Sequence, residues 1–170
     1  MNAPILEVNA AARLAATWQA AGQVVVFTNG HFDLLHAGHL HYLQAARALG
    51  DRLLVAVNSD ASTRARKGPL RPILPQEERA ALLAALRCVD ALILFDGEDC
   101  RAEVAAIRPD VYVKGADWNR PDGPRPPEAA VVETLGGRVA FVDLAPGRST
   151  SAIIAAIVQR YAPQASPTHG

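Results

Sequence analysis

Cysteine, lysine, aromatic rings and net charge are all scarce in this 170-residue chain. Its two cysteines, Cys88 and Cys100, lack a C-x-x-C spacing and are too few for a disulfide scaffold, which points to a reducing compartment. Seventeen basic and seventeen acidic side chains cancel, which argues against a polybasic nucleic-acid binder and an electrostatic membrane anchor. No apolar run approaches bilayer-spanning length, and Glu7 and Arg13 interrupt the segment where a signal peptide would carry its apolar core. The expectation is a cytoplasmic domain with no nucleic-acid partner and no membrane partner. Its length suffices to bury roughly 70% of the surface that the unfolded chain exposes. Three familiar chemical signatures are also missing. No G-x-G-x-x-G follows a predicted strand, no G-x-x-x-x-G-K-[ST] occurs, and no cysteine or serine sits on a nucleophile elbow.

What is present is an alternation of short apolar runs with helical patterns. The runs at 24–28, 53–58, 91–95, 111–114 and 138–142 predict strands buried on both faces. Helices are predicted over 10–21 with Asn9 as N-cap, over about 38–49, from Pro75 onward, and over 99–107, 128–135 and 149–161. Segments 59–74 and 117–127 read as loops. The pattern implies an α/β fold, a Rossmann-like open parallel sheet of five strands with helices on both faces. Residues 1–23 read as an N-terminal helical extension, 24–161 as the domain, and 162–170 as a disordered tail. In such sheets ligands bind beyond the carboxyl ends of the strands, where strand order reverses.

Four polar segments follow predicted strands. The first, Thr28-Asn29-Gly30-His31-Phe32-Asp33-Leu34-Leu35-His36-Ala37-Gly38-His39, runs from a buried strand into a helix start, a natural anion site. His36 and His39 lie three apart and can face the same anion, while Gly38 allows close backbone approach. A zinc site made from these histidines and Asp33 is an alternative, though no fourth ligand falls nearby. The second segment carries Arg64, Arg66 and Lys67, then Arg71 and, on the next helix, Arg79, five cations suited to a polyphosphate. Taken alone it also fits a solvated basic loop. The third ends a strand with Lys114 and Gly115, followed by Asp117 and Trp118, placed to hold a base or sugar or simply to pack. The fourth is Gly147, Arg148, Ser149, Thr150 and Ser151, with Ser149 as N-cap and the hydroxyls available to phosphates.

Together these segments resemble the cytidylyltransferase-like family of nucleotidyltransferases, which carry an H-x-G-H motif and a late Ser/Thr-rich helix start. The resemblance covers about 24–158. It is greatest to the adenylyltransferase domain of ADP-heptose synthesis, on Thr28-Asn29-Gly30 with Phe32-Asp33, Val57 to Thr63, Lys67-Gly68 with Arg71-Pro72, Val113-Lys114-Gly115, and Gly147 with Ser149-Thr150. It implies transfer of AMP from ATP to D-glycero-β-D-manno-heptose 1-phosphate, with Mg²⁺ bound to ATP and no protein metal site. His36 and His39 would contact the triphosphate, Lys67 the α-phosphate region, and Ser149, Thr150 and Ser151 the β and γ groups. Asn29, Gly30, His31, Phe32, Gly38, Arg79, Lys114, Gly115, Asp117, Trp118 and Gly147 would line the nucleotide; Asp33, Asn58, Asp60 and Arg71 would hold the acceptor. A separate heptose kinase would supply the sugar 1-phosphate, and a homo-oligomer, dimer or larger, is implied. His31 stands where many relatives have cysteine, and Ala116 replaces a frequent second glycine. The alternative pairing is CTP with glycerol 3-phosphate or a similar alcohol phosphate. A nucleotide-sensing module and a metal-dependent hydrolase are the readings of other classes.

Overall fold

Near-continuous apolar runs become the central strands, because a parallel sheet covered on both faces leaves little room for polar side chains. The computed structural model describes residues 2–119, 123–143, 147 and 149–161. Its sheet contains β1 (Ile5–Leu6), β2 (Val25–Gly30), β3 (Arg52–Asn58), β4 (Ala91–Phe95), β5 (Val111–Gly115) and β6 (Arg138–Val142). All are parallel, in the order β1-β4-β3-β2-β5-β6. Among the described residues the sheet therefore has six strands, not the expected five. The additional one, β1, is two residues long and carries no alternation to read; it is defined by pairing, with Leu92 N–H donating to Pro4 O at 2.9 Å.

Among the described residues there are seven α-helices: α1 (Val8–Ala20), α2 (Ala37–Arg47), α3 (Asp60–Lys67), α4 (Gln76–Ala84), α5 (Arg101–Ile107), α6 (Ala129–Thr134) and α7 (Thr150–Tyr161). Strand alternation sorts the core into two layers. Val26, Val55, Val57 and Val113 pack with Tyr42, Leu43 and Ala46 of α2 and Leu83 of α4. Phe27, Leu54, Ala56 and Tyr112 pack on the other face with Ala11 and Ala15 of α1, Val104 and Ile107 of α5, and Val132 of α6. Residues 5–20, read as part of a helical extension, thus contribute a strand and a packed helix to these layers. Helix α1 starts ahead of the expected Asn9 cap, since Ala10 and Ala11 N–H already donate to Glu7 O. The tail 162–170 lies outside the described residues.

Two further expectations are corrected. Segment 59–74 is not all loop, because α3 occupies its first half. Ser59 Oγ accepts from Ser62 N–H at 3.1 Å, Asp60 stands in the first turn, and Arg64, Arg66 and Lys67 stand in the last, each matching the helix dipole. With no apolar stripe, that helix is invisible to periodicity. Pro75 takes the N-cap position rather than the first helical one.

The chain builds β2, β3 and β4 outward in one direction, then crosses back to lay β5 against the opposite flank of β2. Thr28 pairs with Val55 on one side and Val113 on the other. Strand order reverses here, and β2 runs on to Gly30, two residues beyond its predicted end, so Asn29 and Gly30 are its tip rather than a turn. The Thr28 and Tyr42 hydroxyls, 2.7 Å apart, share the Val113 carbonyl and tie α2 to this point.

Candidate active site

A cavity of about 490 Å³ opens above the tips of β2 and β5. The turn leaving β2 sets its geometry. Phe32 is buried with φ +45°, a left-handed conformation unusual for a bulky residue. Gly30 leaves room for it, since a Cβ there would sit 3.0 Å from the Phe32 ring, tighter than an ordinary contact. The ring then meets His39 edge-on, with centroids 5.3 Å apart.

His36 caps α2. Its Nδ1 accepts from the N–H groups of Gly38 at 3.1 Å and His39 at 3.3 Å. The helix end is therefore not bare, as expected for phosphate approach to Gly38; two of its N–H groups are taken. A ring nitrogen that accepts is unprotonated, so the proton of neutral His36 sits on Nε2. His36 and His39 stack, with centroids 3.8 Å apart and planes 19° from parallel. Burial, then the neighbouring His36, lowers the His39 pKa to about 4, against smaller opposing effects of the Leu34 carbonyl and Asp33. His39 Nδ1 makes no hydrogen bond of normal geometry among the described residues. His31 is also lowered to about 4, first by burial and then by Lys67, Arg66, Arg79 and Lys114; its Nδ1 lies 3.0 Å from Thr63 Oγ1.

Both rings are thus neutral near pH 7 in the folded chain, whereas unfolded histidine gains a proton below about 6.5. Their contribution to stability is whole above that value and is lost as pH falls towards about 4. Urea midpoints should therefore drop across this window. His31→Gln and His39→Gln should each make the drop shallower than in the wild type. Parallel curves for all three proteins would contradict the assigned environments.

Across the cavity, Lys114 is the penultimate residue of β5. Its Nζ donates to Asn29 Oδ1 at 2.7 Å, and the Tyr112 hydroxyl donates to the same oxygen at 2.8 Å. Nζ lies 5.5 Å from the ring centroids of both Tyr112 and Trp118. Burial lowers the Lys114 pKa, and Glu128 opposes that most strongly. Trp118 and Asp117 belong to a single 3-10 turn, Ala116–Trp118, directly after β5. Ser149 Oγ accepts from Ala152 N–H at 3.1 Å, the cap expected from the sequence.

The cavity gathers most of the residues singled out from the sequence: Asn29, Gly30, His31 and Phe32; His36, Gly38 and His39; Asn58 and Lys67; Lys114, Gly115, Asp117 and Trp118; and Ser149 and Thr150. Six others do not line it. Asp33, 2% exposed, accepts from Ile73 N–H at 2.6 Å and pairs with Arg71, so these two clamp the loop after α3. Arg79 is 1% exposed and spends its guanidinium on Leu74 O, His31 O and Asp60. Arg79, expected at the nucleotide, and Asp60, expected at the acceptor, are thus paired with each other, and Arg79 holds the His31 backbone. Gly147 and Ser151 flank the α7 start outside the cavity wall, and Arg148 lies outside the described residues. Of the five expected cations, Arg66 and Lys67 alone line the cavity. Reading the sequence for site residues overlooked Tyr42, Glu98, Asp99, Pro127 and Glu128. Among the described residues no three His, Cys, Asp or Glu side chains are grouped to hold a metal, and no helix is long and apolar enough to cross a membrane.

The family model described as Cytidylyltransferase-like matches residues 27–156. Among similar proteins, the bifunctional protein HldE of Syntrophotalea carbinolica is 50% identical over 144 residues, covering 82% of this chain and 28% of that protein. The bifunctional protein HldE of Methylobacillus flagellatus is 51% identical over 137 residues, 81% of this chain and 28% of its own. That of Geobacter sulfurreducens is 47% identical over 160 residues, 94% and 32% respectively. The chain thus spans less than a third of the length of these relatives. A solved structure, a lipopolysaccharide core biosynthesis protein from Thermoplasma volcanium, superposes with a TM-score of 0.58 at 33% identity. It is matched over 73% of this chain and 98% of its own. With that family model matched over most of its length and a stacked H-x-G-H pair lining the cavity at the strand-order reversal, the chain belongs to the cytidylyltransferase-like family of nucleotidyltransferases.

Proposed function

We propose that the protein transfers AMP from ATP to D-glycero-β-D-manno-heptose 1-phosphate, giving ADP-heptose and pyrophosphate. The observation that carries the transfer reading is the stacked His36–His39 pair at the start of α2, which lines one cavity together with Arg66 and Lys67. The heptose acceptor is supported by the roughly 50% identity to the HldE proteins.

The chemistry asks little of a general base. A phosphate monoester is ionised at neutral pH, and one of its oxygens attacks the α-phosphorus of ATP. The new P–O bond forms as the bond to the bridging α–β oxygen breaks, and pyrophosphate departs with the electron pair. The protein must bring two anions together, align them and stabilise the charge on the leaving group. His36 Nε2–H and the His39 ring supply hydrogen-bond donors on one side, and Lys67 and Arg66 supply cations on the other. Lys114, fixed by Asn29, and the hydroxyls of Ser149 and Thr150 would hold the rest of the nucleotide. Magnesium would neutralise phosphate charge when bound, and in this reading it arrives on ATP. A cytoplasmic setting, an upstream kinase that makes the sugar 1-phosphate, and a homo-oligomer belong to the same proposal.

The test is pyrophosphate release across a matrix of ATP and CTP against heptose 1-phosphate, other sugar 1-phosphates and glycerol 3-phosphate. The strongest signal is expected for ATP with heptose 1-phosphate. A maximum at CTP with glycerol 3-phosphate would replace this assignment with the alternative pairing.

A further inference from the structure

The cavity has two chemically different ends, and strand alternation separates them. Phe27, Ala56 and Tyr112 face the α1, α5 and α6 layer, so Asn29, Asn58 and Lys114, each two residues further along its strand, share that face. The histidine pair belongs to α2, on the other face of the sheet. At the α5–α6 end the wall also carries Glu98, Asp99 and Glu128.

Glu128 is the unusual member. It is 1% exposed, yet it lines the cavity. Its Oε1 accepts from the Cys100 N–H at 3.0 Å, bridging the segment before α6 to the start of α5. The Tyr112 hydroxyl lies nearby but gives its proton to Asn29, and Oε2 is left without a hydrogen-bond partner among the described residues. A buried carboxylate oxygen without a donor is costly unless a ligand supplies one. The Asn29 carbonyl oxygen, by contrast, already takes two donors, so what Asn29 can offer a ligand is its NH₂.

Three carboxylates beside the Lys114 ammonium leave this end net acidic, which disfavours phosphate and invites neutral donors. Its place in the sheet also distinguishes it from the nucleotide end. Asn58 ends β3, and Glu98 and Asp99 follow β4, both on the side of β2 away from Asp117, Trp118, Ser149 and Thr150, which follow β5 and β6; Glu128, which itself follows β5, is joined to that side by its bond to the Cys100 N–H at the start of α5. Two reactants that meet in line need opposite flanks. We propose that the α5–α6 end is a polyol subsite in which Glu128 accepts hydrogen bonds from hydroxyl groups of the acceptor sugar. The proposal rests on the sugar-phosphate reading above and adds a residue that selects the acceptor by its hydroxyls.

The test compares a fully hydroxylated sugar 1-phosphate with deoxy analogues, in the wild type and in Glu128→Gln, which keeps the side chain's size and a carbonyl acceptor for Cys100. Removing the charge should raise the acceptor KM by about 10- to 100-fold, the scale of losing a hydrogen bond to a charged group. The ATP KM should stay within about twofold, and the preference for the hydroxylated acceptor should shrink to the same degree. A purely structural role would lower the urea midpoint without changing that preference. If Glu128→Gln does not fold, Glu98→Gln on the exposed rim carries the same readout, with a smaller loss of about threefold. An unchanged preference, or a rise in ATP KM instead, overturns the subsite while the transferase reading stands. Absence of transfer by the wild type to any sugar phosphate overturns the reaction and the subsite together.

Discussion

His36→Ala and His39→Ala should each lower turnover by about 10²-fold or more, the scale of losing one donor to charge that grows in a transition state. The two rings stack at 3.8 Å, yet they fail differently when removed. His36 also caps α2 through Nδ1, so alanine there costs about 1 kcal/mol of stability in addition. His36→Asn separates the roles. Asparagine is a good N-cap, so this variant should regain the stability and remain slow, because the Nε2 donor is gone. His39→Ala loses the stack with His36 and the edge contact with Phe32 but no helix cap, so its unfolding midpoint should fall through lost packing alone. Steady-state turnover beside urea unfolding of the three variants checks this. Near-normal turnover in both alanine variants would remove the histidines from the chemistry.

Arg79→Met should destabilise the fold by about 3 kcal/mol, at the low end for breaking a buried ion pair because Asp60 keeps partial contact with water. The guanidinium joins three elements. It holds the Leu74 carbonyl ahead of α4, Asp60 at the start of α3, and the His31 carbonyl in the turn above β2. Methionine fills much of the volume and satisfies none of these acceptors. Loss of activity should accompany the loss of stability, since His31 and Lys67 are positioned through the elements that Arg79 joins. Unfolding in urea measures the first, and kcat at saturating substrates the second. A variant as stable as the wild type would show that the buried guanidinium is replaceable by packing alone.

What could be read from the sequence was what its chemistry states locally. A buried apolar run followed by Gly30, His31 and the H-x-G-H frame carries its own meaning, and so does a serine ahead of the last helix. Charge was harder. Arg64, Arg66, Lys67, Arg71 and Arg79 look alike as a basic stretch, but their fates depend on partners supplied by tertiary structure. Arg79 finds the carbonyl of a residue 48 positions earlier, and Arg71 finds Asp33, 38 positions earlier. Helix α3 escaped notice because eight residues held by a cap and matched terminal charges need no apolar stripe. Strand β1 escaped because two residues have no period. Glu128 illustrates the general difficulty. An acid ahead of a helix is ordinary in sequence, and its closeness to Lys114 and Cys100 follows only from strand order.

The central claim is direct transfer of a nucleotidyl group to a sugar phosphate at the histidine pair. Phosphorus NMR of a reaction holding ATP, magnesium and heptose 1-phosphate addresses it most directly. Pyrophosphate and a new diphosphate-linked sugar nucleotide should accumulate one for one, as ATP and the sugar phosphate disappear at the same rate, and both products should be strongly reduced with His36→Asn. Formation of ADP with orthophosphate, or binding of ATP with no turnover of either reactant, would contradict it.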